Sequence, residues 1–177
     1  MEKITGPLSW AEIQRHIAFS AIGPTTLRNM GADRQRICKW LACNADLSDF
    51  AKKPVGDVLD EWSDALAKIE AGPWGAIRKA INLFLRDCAL NHLTRVKYEL
   101  AKIEPLLEIP LDSRTMKAIR ATKEAKESMP VVSWVKDLDA DLSDQYQRIA
   151  KRHAAKRHAD EEEMLRVELD IRWWSVG

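Results

Sequence analysis

The chain has 177 residues, of which 46% are hydrophobic and 31% are charged, and its formal net charge is +1. This composition suits one buried core or two small helical lobes, and a content of only seven glycines argues against a loop-rich or β-rich protein. Three cysteines argue against a disulfide framework and exclude a four-cysteine iron–sulfur cluster. No long apolar run follows the N-terminus, so we expect a cytoplasmic protein without a signal peptide or membrane span.

Helical spacing of apolar residues recurs along the whole chain. Ser9 and Glu12 form a capping box at the start of the first predicted helix. A short turn capped by Thr25 or Thr26 is predicted to end near Gly31, and Asp33 is the predicted cap of the third element. The last segment is predicted to be a helix, although alternating apolar residues over 167–171 also permit a short extended stretch. The predicted segments are 8–22, 33–44, 47–53, 55–70, 74–90, 93–107, 112–126, 141–159 and 161–174. The sequence therefore predicts an all-α fold, with one helical domain over 1–177.

The stretch 72–120 carries the candidate chemistry. It opens with the tight turn Gly72-Pro73-Trp74-Gly75, which joins the helices predicted over 55–70 and 74–90. Backbone N–H groups at the start of the second helix form a site for an anion such as a DNA phosphate. Many helical hairpins contain such a turn, so this feature alone does not establish DNA binding.

Lys79 is the candidate nucleophile. It falls in the first turn of the 74–90 helix or just past it, where the helix dipole and the adjacent Arg78 both disfavour an ammonium. If the side chain is also partly buried, its pKa falls and a neutral amine becomes available for nucleophilic attack. The simpler interpretation of this residue alone is a solvated helix lysine.

Asp112 is the candidate carboxylate. It follows the apolar, conformationally restricted run Ile109-Pro110-Leu111 and precedes a predicted helix. Cap hydrogen bonds and the helix dipole keep such a carboxylate ionised, so that it could stabilise a positive charge developing on a substrate. An aspartate in this position is more often only an N-cap, and this alternative stays open.

Basic residues recur at every third position after Asp112. On a helix they would form a slanting stripe that could follow a phosphate backbone, although a solvated face explains the pattern equally well. The stripe consists of Arg114, Lys117, Arg120, Lys123 and Lys126. A second basic block over 151–158 is followed by an acidic run over 160–163, which favours a solvated helix there. The spacing of the histidines predicts no metal site.

Two short motifs in this stretch resemble those of a known family. The first is Gly75 followed by Arg78-Lys79 and Asn82, and the second is Pro110-x-Asp112-Ser113 followed by Lys117. In this order they resemble the helix-hairpin-helix (HhH-GPD) superfamily of DNA glycosylases, typified by endonuclease III. The long separation of Lys79 from Asp112 is similar to that of the archaeal 8-oxoguanine DNA glycosylases. The turn Gly-Pro-Trp-Gly differs from the family's usual Leu-Pro-Gly-Val-Gly.

The resemblance implies a fold, an activity and a set of site residues. The fold would contain a helix-hairpin-helix element and active-site segment over 55–126, C-terminal helices over 141–174, and a cleft between two helical lobes. The activity would be excision of a damaged, oxidised base from double-stranded DNA, coupled to AP lyase strand cleavage. Lys79 would form a Schiff base with the deoxyribose, and Asp112 would stabilise the oxocarbenium-like sugar. DNA contacts would come from Gly72, Trp74, Gly75, Arg78, Arg114, Lys117 and Arg120.

The sequence also leads to expectations about binding partners and to one alternative function. We expect a monomer that acts on damaged double-stranded DNA, with no membrane association, no cofactor and no metal. The alternative is a catalytically inactive helical module that binds DNA or protein. In that case Lys79 and Asp112 would lie far apart, or would form a closed salt bridge with no pocket between them.

Overall fold

The secondary structure is helical throughout the described residues. The computed structural model describes residues 7–125, 129–157 and 165–175, and within these ranges it contains eight α-helices, short 3-10 turns and no strand. The helices are α1 (Trp10–Ala21), α2 (Arg34–Asn44), α3 (Val55–Lys68), α4 (Trp74–Leu90), α5 (His92–Lys97), α6 (Ser113–Arg120), α7 (Ala140–Arg157) and α8 (Glu168–Ser175). The predicted all-α fold class is confirmed.

Local sequence signals account for the starts of the first helices. Ser9 caps α1 by accepting a bond from the Glu12 backbone N–H, and the Glu12 carboxylate accepts the Ser9 N–H at 2.7 Å, which completes the predicted capping box. Asp33 caps α2 by accepting the Arg36 N–H at 3.0 Å. Pro73 precedes α4, where its fixed φ suits entry into a helix and no backbone donor is lost.

Two predicted helices are shorter than expected. The segment predicted over 93–107 is helical only through α5, because Glu99 adopts a left-handed conformation with φ 52° and the chain continues in short 3-10 turns. Helix α6 ends at Arg120, where the Thr122 hydroxyl donates to the Ile119 carbonyl at 2.7 Å. Lys123 therefore lies beyond the helix, and Lys126 lies outside the described residues. Among the described residues of the basic stripe, the first three are helical.

The C-terminal predictions have a mixed outcome. Helix α7 extends to Arg157, and α8 is helical from Glu168 onward, so the extended alternative for 167–171 is not adopted. His158 and the acidic run over 160–163 lie outside the described residues.

Two clusters of buried apolar side chains form the core. One lies among α1–α4 and the segment up to Leu107, together with Val167. The other lies among α6, α7, α8 and the segments 109–111 and 129–138. Helix α4 packs against α1, α2, α3, α5 and α7. Its buried Ile77 and Ile81 each contribute about 1.5–3 kcal/mol to stability by leaving water. Helix α4 is therefore the central element, and its side chains can meet groups from both clusters.

The turn between α3 and α4 contains two glycines whose surroundings leave no room for a side chain. Gly72 has a φ of +146°, and a Cβ there would lie 2.7 Å from the Ala32 Cα. Gly75 is buried, and a Cβ there would lie 2.0 Å from the Val135 carbonyl oxygen and 2.8 Å from the Leu138 Cβ. The expected DNA contact by Gly75 is therefore corrected, because residues 135–138 cover it.

This close approach predicts a clear stability difference between two glycine substitutions. Gly75→Ala is expected to lower the free energy of unfolding by about 1–3 kcal/mol, because the added methyl displaces the 135–138 backbone. Gly56→Ala, in α3 with nothing within 4 Å of its Cβ, is expected to raise it by about 0.5–1 kcal/mol. Urea denaturation of both variants tests this difference. Equal stability of the two would contradict the packing argument.

Candidate active site

A pocket of about 440 Å³ lies where α1, α4, α6, α8 and the turn over 24–31 meet. Met30, in that turn, packs against both hydrophobic clusters. The polar and charged residues that line the pocket are Thr25, Thr26, Lys79, Arg86, Asp112, Ser113, Arg114 and Asp170. Both charged groups that the sequence singled out for catalysis, Lys79 and Asp112, thus lie on the wall of one pocket.

Lys79 is buried in the second turn of α4, with 8% of its surface exposed. Its Nζ lies 3.8 Å from Asp112 Oδ2 and donates to the Thr26 carbonyl oxygen at 3.4 Å. Burial lowers the pKa of the amine, and the negative charges of Asp112 and Asp170 act in the opposite direction. The pKa of Lys79 is therefore lowered in the expected direction, and burial is the main cause.

Asp112 is both a helix cap and a wall of the pocket. Its Oδ1 accepts the Thr115 backbone N–H at 2.8 Å, which makes Asp112 rather than Ser113 the N-cap of α6. Its Oδ2 is the oxygen that lies near the Lys79 amine. The cap bond fixes the side-chain orientation, so the second oxygen is held towards the pocket.

Two charged residues in the pocket were not identified from the sequence. Asp170, on α8, accepts a bond from Arg86 Nη1 at 2.6 Å and another from Thr115 Oγ1 at 3.2 Å. Burial raises the pKa of Asp170, an effect that Arg86 opposes and Asp112 reinforces. For Arg86, the available sequence signal was that it follows Lys79 by two helical turns and so shares its face of α4. For Asp170, the signal was an acidic residue placed between the apolar Leu169 and Ile171.

Arg78 belongs to an internal network instead of a DNA-binding surface. Its guanidinium is buried and donates to both carboxylate oxygens of Glu108, at 2.9 and 2.7 Å, and to Asp60 at 2.9 Å. It also lies 5.6 Å from the centre of the Trp74 ring. The Asn82 amide donates to the same Glu108 carboxylate at 2.9 Å. The expected DNA contact by Arg78 is corrected, because its donors are used within the protein.

The other residues that the sequence predicts to contact DNA differ in how exposed they are. Arg114 lines the pocket and is exposed, and Lys117 is exposed one turn further along α6. Arg120 is half-buried and donates to the Tyr146 hydroxyl at 2.9 Å. Gly72 and Trp74 are half-buried in the turn before α4.

The apolar wall of the pocket is aliphatic. Ala21, Met30 and Leu83 line it, and no tryptophan of the described ranges does. Trp62 packs in the first cluster, while Trp173 stacks on the ring of His153 with centroids 6.1 Å apart. The described tryptophans therefore do not contribute to the wall of this pocket.

Other features of the described residues do not point to a second chemistry. No group of three or more His, Cys, Asp or Glu side chains among them is placed to hold a metal ion. None of their helices combines the length and apolar character needed to cross a bilayer. A larger groove, of about 630 Å³, runs along α7 and contains none of the predicted site residues.

Comparisons with known proteins add no candidate function. Neither a scan against protein-family models nor searches of curated proteins and solved structures give a match to this chain. The function therefore has to be argued from the chemistry of the pocket. A buried amine and an oriented carboxylate, held 3.8 Å apart at a pocket wall, can together attack and stabilise an electrophilic carbon.

Proposed function

We propose that the protein is a DNA glycosylase with AP lyase activity, which removes a damaged, oxidised base from double-stranded DNA. The observation that carries this proposal is the meeting of Lys79 and Asp112 at one pocket, with Nζ and Oδ2 3.8 Å apart. The order of the two motifs in the sequence predicts that these two residues belong to one site. Their proximity supports that pairing and argues against the arrangement in which they lie far apart.

The chemistry follows from the two groups. Asp112 Oδ2 stabilises the positive charge that develops at C1′ as the damaged base departs with the electrons of the glycosidic bond. The neutral Lys79 amine forms a bond to C1′, and opening of the sugar ring gives an imine. Loss of a C2′ proton then expels the 3′ phosphate by β-elimination. Since the amine must be neutral to attack, the lowered pKa of Lys79 favours the reaction near neutral pH.

DNA binding would use the rim of the pocket. In this proposal α3, the turn at Gly72 and α4 act as a helix-hairpin-helix element, and the pocket is the cleft between two helical lobes. The exposed Arg114 and Lys117 contact phosphates, so DNA affinity falls as the salt concentration rises. Trp74 and Arg120, both half-buried, are the further DNA contacts in this proposal. We take the protein to be a cytoplasmic monomer, as the sequence predicts.

Borohydride trapping tests the covalent step. Wild-type protein is incubated with duplexes that carry 8-oxoguanine, uracil or an abasic site, and the imine is reduced to a stable adduct that is resolved by denaturing electrophoresis. We expect an adduct with at least one of these duplexes, and none with Lys79→Ala. Lys53→Ala is the matched control, because Lys53 pairs with Glu61 at the surface and should keep the adduct. Absence of any adduct, or its persistence in Lys79→Ala, would refute the mechanism.

A second candidate function is a helical module that binds DNA or protein without catalysis. The ion pair between Lys79 and Asp112 favours it, because the carboxylate stabilises the ammonium form of the amine. The same experiment separates the two functions. A DNA-binding module would shift the mobility of duplex DNA in a native gel but would give no adduct after borohydride treatment, and a protein-binding module would give neither result.

A further inference from the structure

Asp170 is the most deeply buried charged group of the pocket. Only 2% of its surface is exposed, and α8 brings it there from a position 84 residues beyond its partner Arg86. Neither the glycosylase chemistry nor the predicted phosphate contacts use it. An ionisable group this buried is costly unless its partners compensate for the lost hydration. Its place in the pocket therefore requires an explanation.

The partners of Asp170 connect it to the two proposed catalytic groups. Thr115 donates its hydroxyl to Asp170 Oδ1 at 3.2 Å and its backbone N–H to Asp112 Oδ1 at 2.8 Å. Thr115 therefore links Asp170 to the hydrogen bond that orients the Asp112 carboxylate. On the other side, Arg86 lies on the same face of α4 as Lys79 and is held by Asp170 at 2.6 Å.

We propose that Asp170 is a positioning residue of this site, which fixes the first turn of α6 through Thr115 and places a second negative charge beside the Lys79 amine. This inference rests on the proposed function, since it assigns a role within the same pocket. It makes α8 part of the active site rather than a structural appendage. Two separate effects follow, one on geometry and one on charge.

The charge effect concerns the protonation of Lys79. The groups that face its amine or line its pocket are Asp112 and Arg114 from α6, Asp170 from α8, Arg86 from α4 and the Thr26 carbonyl from the turn. Asp170 stabilises the ammonium form, so its negative charge raises the pKa that burial lowers. Removing that charge is expected to move the titration midpoint of Lys79 down by about one pH unit.

The geometric effect concerns Asp112. Without the Thr115 hydroxyl bond, the first turn of α6 loses its tie to α8, and the Asp112 carboxylate is held less tightly. Misplacement of a catalytic group lowers the rate without changing the charge of the amine. Thr115→Val removes this tie while preserving the shape of a fully buried side chain.

Three variants of the full chain separate these effects. Asp170→Asn removes the charge, and Thr115→Val removes the hydroxyl bond. Asp87→Asn is the control, because Asp87 also pairs with Arg86, at 2.8 Å, without lining the pocket. One readout is the titration midpoint of Lys79, measured by NMR on protein carrying ¹³C-labelled lysine, with Lys79→Arg to assign the signal. A second is the rate of borohydride trapping on abasic duplex as a function of pH, and a third is the rate of base release from lesion-containing duplex.

The expected pattern is specific. Asp170→Asn lowers the Lys79 midpoint by about one pH unit and moves the acid limb of the trapping profile by the same amount, because that limb reports loss of the reactive neutral amine. Thr115→Val lowers the rate of base release from lesion-containing duplex about tenfold, because that step uses the oriented Asp112 carboxylate, and leaves the acid limb of the trapping profile unchanged. Asp87→Asn behaves as wild type in all three measurements.

The outcomes that overturn the inference are equally specific. If the midpoint and trapping profile of Asp170→Asn equal those of Asp87→Asn, Asp170 has no role in the site. If Asp170→Asn does not fold, an unchanged base-release rate in Thr115→Val overturns the inference. A wild-type protein that gives no adduct refutes the proposed function instead, and the NMR midpoints, which need no DNA, still decide whether Asp170 acts on the Lys79 amine.

Discussion

Asp112→Asn is expected to slow base release from lesion-containing DNA by about 10²–10³-fold while covalent trapping on a preformed abasic site continues. Base release needs a negative charge near the developing oxocarbenium ion, and the amide of asparagine cannot supply it. Trapping on an abasic aldehyde involves no departing base, so it depends on the Lys79 amine alone. The loss of Asp112 charge also lowers the pKa of Lys79 further, which moves the trapping profile to lower pH.

The fold should tolerate this change. An asparagine side chain still offers an oxygen to the Thr115 N–H, and asparagine is as good an N-cap as aspartate. Asp33→Asn is the matched control, since Asp33 caps α2 with a similar bond to Arg36 and does not line the pocket. Quantifying released base by chromatography and adduct by electrophoresis gives the two rates. Full base release by Asp112→Asn, or an equal loss in Asp33→Asn, would rule out the assigned role.

Glu108→Ala is expected to lower the free energy of unfolding by about 3–5 kcal/mol. Glu108 accepts two bonds from the buried Arg78 and one from the Asn82 amide, so its removal leaves the buried guanidinium with only the exposed Asp60 as a carboxylate partner. The Asn82 side chain is already incompletely hydrogen-bonded, because its buried Oδ1 has no partner within the described residues. Asp60→Ala is the control. This change removes the other carboxylate partner of Arg78. Because the Asp60 side chain is 69% exposed, its loss should lower the free energy of unfolding by less than about 1 kcal/mol.

The contribution of Glu108 also depends on pH. Burial alone would raise the pKa of Glu108, but hydrogen bonds from Arg78 and Asn82 and the charges of Arg78 and Arg166 bring it below its ordinary value. A carboxylate with a lowered pKa stabilises the fold above its unfolded pKa and loses that effect as the pH falls through the folded value. The difference between wild type and Glu108→Ala in urea denaturation should therefore be full at neutral pH and shrink in acid. A difference that persists unchanged in acid, or one no larger than that of Asp60→Ala, would contradict this account.

Local signals predicted the helical framework more closely than the helix ends. The bounds of α4 agree with the prediction because Pro73 precedes the helix and its apolar spacing is regular. The ends of α5 and α6 were misplaced because neither follows from a strong helix breaker. One depends on the left-handed conformation of Glu99 and the other on a hydroxyl bond from Thr122.

The site was predictable only where its residues lie in recognisable motifs. Lys79 and Asp112 stand in a motif order that could be compared with a known family. The partner of Arg78 could not be found in this way, because Glu108 lies 30 residues further along the chain and no spacing rule connects them. The same holds for Asp170, whose contact with Arg86 depends on how α8 packs against the rest of the fold.

The composition of the pocket has a consequence for how the chain folds. Its wall includes Ala21 near one end of the described sequence and Asp170 near the other. Contacts between such distant residues close long loops, and the entropy of loop closure makes them slow to form. The first hydrophobic cluster can condense around α4 before these contacts exist. The pocket would thus be completed late, when α8 docks. A folding intermediate would then contain α4 with Lys79 before the pocket around that residue has formed.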